Sequence, residues 1–213
     1  MPHSPKIIEL RKILAERFPQ KSGTHLLTST GWSPLDSLLG GGLPAGSITQ
    51  LVIPSISAGG AIVLHEIIEA MHERSQCLAL IDGKNSFEPF TESPLLLWIR
   101  CQNAAQALKA TDMLLRDNNL PLNILDLKQN SDAELRRIPG STWYRFQRIL
   151  EENKSTLLTI TRHPVVSSAQ ISIMLTHQLT FDDLTSFRQE IIKLFSLQII
   201  RHRSQLEYRY AQN

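Results

Sequence analysis

The segment Gly40-Gly41-Gly42-Leu43-Pro44-Ala45-Gly46 constrains this chain more than any other stretch. Its clustered glycines and its proline exclude a helix or an interior strand, so it must be a tight loop. Regular structure resumes at once. Residues 47–53 are β-rich and alternating, residues 54–60 form a second loop, and residues 62–74 carry helical periodicity. A strand, a glycine-containing loop and a helix in that order open an α/β unit, and the chain repeats the theme. Residues 77–81 are a short apolar strand closed by Asp82-Gly83. A strand at 96–101, a helix at 103–116 and a strand at 123–127 follow, then helices at 131–137 and 142–152 and a strand at 155–161. The order β-α-β-β-α-β-α-β predicts a mainly parallel sheet between helices.

The two ends read differently. Residues 171–181 predict a strand, 182–193 a helix and 195–202 another strand, with 206–210 pairing back across Ser204-Gln205. Terminal antiparallel strands commonly extend a parallel sheet. At the start, Ile7, Ile8, Leu10, Ile13, Leu14 and Phe18 recur at helical spacing, and a polar stretch follows Pro19. The expected division is an amphipathic helix with its linker at 1–29, and an α/β core with a C-terminal strand extension at 30–213. The apolar face of that first helix must be covered, either by its own core or by a neighbouring subunit through self-association.

Charge narrows the function. Across 213 residues, 22 Lys and Arg stand against 20 Asp and Glu, a net +2 that is too mild to announce a nucleic-acid binder. Any DNA contact would come from a local patch. The first 18 residues lack the apolar run of a signal peptide, and no stretch is long enough to cross a bilayer. A reducing cytoplasm, with association at the nucleoid allowed for, is the expected home. Cys77 and Cys101 both lie in apolar surroundings without metal spacing, which reads as two buried, reduced thiols.

Residues 30–89 resemble the first half of a RecA-type core. Thr30-Gly31, Leu35-Asp36 and Leu39-Gly40-Gly41-Gly42-Leu43-Pro44-Ala45-Gly46 match that family's turn, short helix and glycine-rich approach to its first core strand. Cys77-Leu78-Ala79-Leu80-Ile81-Asp82, with Phe87-Glu88-Pro89, is similar to its second core strand and the loop after it. The resemblance implies an α/β, RecA-like fold: a mainly parallel sheet flanked by helices, with antiparallel C-terminal strands. Within RecA relatives the chain most resembles the ImuA group, related to the SulA-type division inhibitors, on its length, its loop and Leu135-Arg136-Arg137. That implies a setting in bacterial DNA repair, the SOS response and translesion synthesis. The implied partners are a translesion polymerase module and RecA itself, with DNA bound weakly if at all and no membrane.

The nucleotide chemistry of such a fold looks lost. A working phosphate loop reads G-x-x-x-x-G-K-[ST], where backbone N–H groups wrap the phosphates, lysine neutralises charge and the hydroxyl holds Mg²⁺. Here the stretch holds Pro54, Ser55, Ser57, Gly59 and Gly60. One register puts Gly59 and Gly60 where lysine and hydroxyl belong, and the other puts Gly60 and Ala61 there. RecA-like enzymes carry a glutamate base two residues after the second-strand aspartate, and counting from Asp82 gives Lys84. A positioned base contributes about two to four orders of magnitude in rate. Lys84 and Asp126, the latter where a magnesium-binding carboxylate would sit, therefore read as vestigial. The expectation is a pseudo-ATPase with no catalytic residues and no cofactor. Two further readings stay open: Lys84 swinging into the vacant loop to restore an anion pocket, and Gly59-Gly60 holding a sulfate or phosphate weakly.

Partner surfaces are the remaining candidates. Arg136, Arg137, Arg145 and Arg148 surround Trp143, Tyr144 and Phe146, either as a partner or nucleic-acid surface or as a packed helix with solvated arginines. Arg201, Arg203 and Arg209 with Tyr208 and Tyr210 form a second basic-aromatic patch. His65 and His72 share a helix face but lack a third ligand, so no metal is expected. The main reading is a non-catalytic adaptor. The others are a SulA-like inhibitor of a filament-forming GTPase and a weak nucleotide-binding RecA paralogue.

Overall fold

The apolar strands pair in parallel because helical segments carry the chain back across the sheet between most of them. The computed structural model describes residues 26–55, 59–89, 93–176, 180 and 182–203. A short antiparallel pair, β1 (Leu27–Thr28) and β2 (Leu43–Pro44), brackets α1 (Ser33–Leu38). The main run is β3 (Ser47–Val52), α2 (Gly60–Glu73), β4 (Leu78–Asp82), β5 (Leu96–Arg100), α3 (Ala104–Asp117) and β6 (Leu122–Asp126). It continues through α4 (Asp132–Arg136), α5 (Gly140–Asn153), β7 (Thr156–Thr161), β8 (Ile171–Leu175), α6 (Arg188–Leu194) and β9 (Leu197–His202). The seven-stranded sheet has the order β5-β4-β6-β7-β3-β8-β9, parallel throughout except for β9 against β8.

Both faces of the sheet are covered, as continuous apolar strands require. On one face α1, α2 and α6 supply Trp32, Leu35, Val63, Ile67, Met71, Ile191 and Phe195 over Leu51, Leu80, Ile124 and Ile160. On the other, α3, α4 and α5 supply Ala107, Leu115, Leu135, Trp143, Phe146 and Leu150 over Ile48, Ile81, Leu125 and Leu157. The second face is also crossed by the connection from β7 to β8, whose Val166 and Ala169 are buried there. At the loop before α1, Gly31 has φ +77°, and a Cβ there would stand 2.3 Å from the Ala70 Cβ of α2. Only glycine lets this turn lie against the helix.

The tail departs from expectation. The strand predicted over 171–181 stops at Leu175. The predicted helix at 182–193 is broken: a 3-10 turn at Asp183–Thr185, extended backbone at Ser186 and Phe187, then α6. The cause is local. Thr180 donates to Asp183 from both its N–H and its hydroxyl at 2.7 Å, and the Thr185 hydroxyl donates to the Asp182 carbonyl at 2.7 Å. Such side-chain bonds compete with helical ones. Residues 206–210 and the N-terminal helix lie outside the described residues. The expectation of two buried thiols is corrected: Cys101 is buried, but Cys77 is exposed just before β4. Burial, with Asp82 nearby, pushes the Cys101 thiol up.

Candidate functional site

In a parallel sheet the carboxyl ends of the strands gather loops into one crevice, where ligands usually bind. Here those ends belong to β3, β4 and β6. From β3 the chain runs through Ile53, whose N–H donates to the Thr161 carbonyl at 2.8 Å, then Pro54 and Ser55. Ser57 lies outside the described residues. Gly59 caps α2 in the left-handed conformation at φ +77°, with no side-chain cap on the helix. Gly59 and Gly60 are both buried, so the bareness read from the sequence falls at the very start of the helix.

The space beside Gly60 is filled by a residue that the sequence reading passed over. A Cβ on Gly60 would stand 3.1 Å from Ile53 Cδ1 and 3.3 and 3.5 Å from Cδ and Cε of Lys128. The Lys128 side chain is only 11% exposed, and its ammonium is paired with the Asp126 carboxylate, itself 1% exposed. The Lys128 N–H also donates to Asp126 Oδ1 at 3.0 Å. Asp126 ends β6 directly beside Asp82 of β4. The signal was there in the sequence: a lysine two residues past a strand-closing aspartate, the same step that singled out Lys84.

Lys84 itself does not enter the loop. Its ammonium donates to the Gln102 carbonyl at 3.3 Å and lies 3.9 Å from Glu134, with the side chain 45% exposed. In the structure Lys84 thus rests on the side of α3 and α4 rather than beside Gly59 and Gly60. Glu134 is held below the usual carboxylate range by the Ser131 N–H, then by the Ser131 hydroxyl and the Ala104 N–H against some desolvation, and by Lys84. Asp82, fully buried, accepts the N–H groups of Lys84, Ser86 and Phe87 at 3.3, 3.0 and 2.8 Å. It shapes the loop after β4. The Gly83 N–H donates to the Asp126 carbonyl at 2.8 Å and its own carbonyl accepts from Asn130 Nδ2 at 3.0 Å, tying the ends of β4 and β6 together.

The basic candidates separate into two kinds. In α5, Trp143 and Phe146 are core, while Tyr144 is 56% exposed. Arg145 pairs with Asp112 at 2.9 Å and Arg148 with Glu152 at 3.5 Å. Burial would raise Asp112, but hydrogen bonds and charge from Arg116 and Arg145 outweigh it and hold that carboxyl low. Arg136 is 81% exposed, 3.9 Å from Asp132, and Arg137 is exposed with no ion pair among the described residues. Asp132 also meets Arg162 at 3.2 Å and His163 at 3.6 Å. Asp132, Leu135, Arg136, His163 and Val165 line an open cleft of about 440 Å³.

At the other end, Arg201 is half-buried and donates to the Val166 carbonyl at 2.6 Å, while Arg203 donates to the Ser167 carbonyl. Burial, then Arg203, lowers Arg201. These two guanidiniums brace the β7–β8 connection, and Arg209 lies outside the described residues. His65 and His72 are served separately: His65 Nε2 meets the Glu88 carbonyl at 3.0 Å and His72 Nδ1 the Ser93 hydroxyl at 3.2 Å. Among the described residues no cluster of three His, Cys, Asp or Glu side chains is placed to hold a metal, and no helix is long and apolar enough to cross a membrane.

Comparison with known proteins agrees with this architecture. No family model matches the chain. It is 33% identical to the RecA protein of Rhodospirillum rubrum over 105 residues, covering 46% of this chain and 28% of that protein. It is 34% identical to the RecA protein of Psychrobacter arcticus over 107 residues, covering 47% and 30%. The chain thus spans less than a third of the length of these relatives. The crystal structure of the RadB recombinase superposes with a TM-score of 0.53 at 16% identity, covering 70% of this chain and 83% of that one. The fold is RecA-like, α/β with a mostly parallel sheet, and the chain is related to RecA in sequence over the matched stretch.

Proposed function

We propose that this protein is a non-catalytic RecA-like adaptor in DNA repair that acts through its surfaces rather than through nucleotide turnover. The observation that carries the reading is the start of α2. Gly59 and Gly60 supply neither ammonium nor hydroxyl, and Lys84 is bonded elsewhere, to Gln102 and Glu134. A triphosphate placed there would find backbone N–H groups but, at Gly59 and Gly60, neither an ammonium for its charge nor a hydroxyl for magnesium. Its relatives are RecA proteins, so the setting follows that kinship. The finer assignment, to the ImuA-like branch with a translesion polymerase module and RecA as partners, rests on the sequence resemblance.

The contact surface that best suits this role is the exposed face of α4 and α5. Arg136, Arg137 and Tyr144 are exposed there, Arg136 with a long 3.9 Å pair to Asp132 and Arg137 with no ion pair among the described residues, whereas Arg201 and Arg203 are engaged internally. Arginine and tyrosine are enriched at binding hot spots, tyrosine because it offers a large contact at low entropic cost and arginine because its planar fork carries several donors and stacks on aromatic faces. The test is a pull-down with RecA and with translesion polymerase subunits. Capture of at least one is expected, with loss on Arg136→Glu/Arg137→Glu and no change in melting temperature. Clean failure with both partners would remove the adaptor reading.

A further inference from the structure

The start of α2 is not simply empty. We infer that Lys128, held by Asp126, is a built-in plug of the phosphate loop: it fills the space beside Gly60 and occupies the carboxylate a metal would need. This rests on the reading of the protein as nucleotide-independent and supplies its physical device. Three observations converge on it. The lysine stem lies against Gly60: a methyl group on that glycine would stand 3.3 Å from Lys128 Cδ, and 3.1 Å from Ile53 Cδ1 on the other side. The ammonium is spent on Asp126, the carboxylate at the end of β6. Both side chains are almost wholly buried, at 11% and 1% exposure, so neither is free to swing to a ligand without opening the crevice.

The arrangement also explains why the bareness of the loop does not leave a hole. Well-packed interiors tolerate few voids, and removing a lysine and a hydroxyl-bearing residue from a helix start would create one. A long aliphatic stem from beyond the end of β6 replaces that volume, and its charge is neutralised on the spot. Gly60 and Lys128 are therefore complementary, small against large. The two elements whose relation a nucleotide would otherwise set, the start of α2 and the end of β6, are joined by the packing of the Lys128 stem, which its buried pairing with Asp126 holds in place.

The experiment uses the full chain, with circular dichroism confirming that each variant folds. Gly60→Ala is expected to lower the melting temperature, and the same change in an Asp126→Asn/Lys128→Ala background, where Ile53 is the remaining contact, to lower it by less. Equal losses in the two backgrounds would overturn the plug. A second arm uses Mg-ATP as the probe. In a chain carrying Gly59→Lys and Gly60→Thr, adding Lys128→Ser is expected to raise Mg-ATP affinity at least tenfold. The same affinity with and without Lys128, or none in either, would overturn it. Tight Mg-ATP binding by the unaltered chain would overturn the nucleotide-independent reading as well, which separates the two failures.

Discussion

Replacing Lys128 by methionine keeps the stem against Ile53 and Gly60 but strips the ammonium from Asp126. The carboxylate then keeps only the N–H of residue 128 while remaining 1% exposed. Removing one partner of a buried ion pair costs about 3–5 kcal/mol, because the other charge is left without compensation. A domain of this size typically has roughly 5–15 kcal/mol to lose. At about 2–4 °C per kcal/mol, the melting temperature should fall by about 6–20 °C. Asp126→Asn alone should also destabilise, since it leaves the buried ammonium facing a neutral partner. The double variant Asp126→Asn/Lys128→Met should recover most of the loss, because a neutral pair of similar volume replaces an ionic one. Urea unfolding at neutral pH, followed by circular dichroism, measures all three. A Lys128→Met chain within about 0.5 kcal/mol of the parent, the range of ordinary surface changes, would refute the reasoning.

Gly31→Ala should cost well over 1 kcal/mol, because its Cβ would lie 2.3 Å from that of Ala70 at a positive φ, whereas Gly40→Ala meets open space and should cost only about 1 kcal/mol of backbone strain. Comparing their unfolding midpoints tests both. His65 is held below its ordinary value by burial, against the Glu88 carbonyl, with Arg188 lowering and Glu69 raising it further. The unfolded chain therefore binds the proton first, and stability should fall as pH drops below about 6.5, levelling off once the folded-state value is passed. His65→Gln should flatten that part of the stability–pH curve while leaving acid unfolding through the carboxylates in place.

Much of the fold was legible because the determinants are local and repetitive. The strand ending at Asp82, the Asn103 cap of α3 and the capping box of Ser131 with Glu134 are written in consecutive residues. The tail was misread where two threonine–aspartate contacts cut a helical pattern that looks continuous in sequence. The site was half legible. The glycines at 59 and 60 declare the missing cation and hydroxyl, and a lysine two residues past Asp126 is visible too, but that the one fills the space beside the other emerges only once the sheet is assembled. The basic patches show the same limit. Arg136 and Arg201 look alike in sequence, yet one faces solvent and the other holds a loop carbonyl.

The claim on which the account stands is that this RecA-like fold does not hold a magnesium triphosphate at the start of α2. Isothermal titration of the full chain with Mg-ATP tests it directly. The account predicts no heat beyond dilution up to millimolar ligand. Saturable, magnesium-dependent binding in the micromolar range, lost on Gly59→Glu, would contradict it.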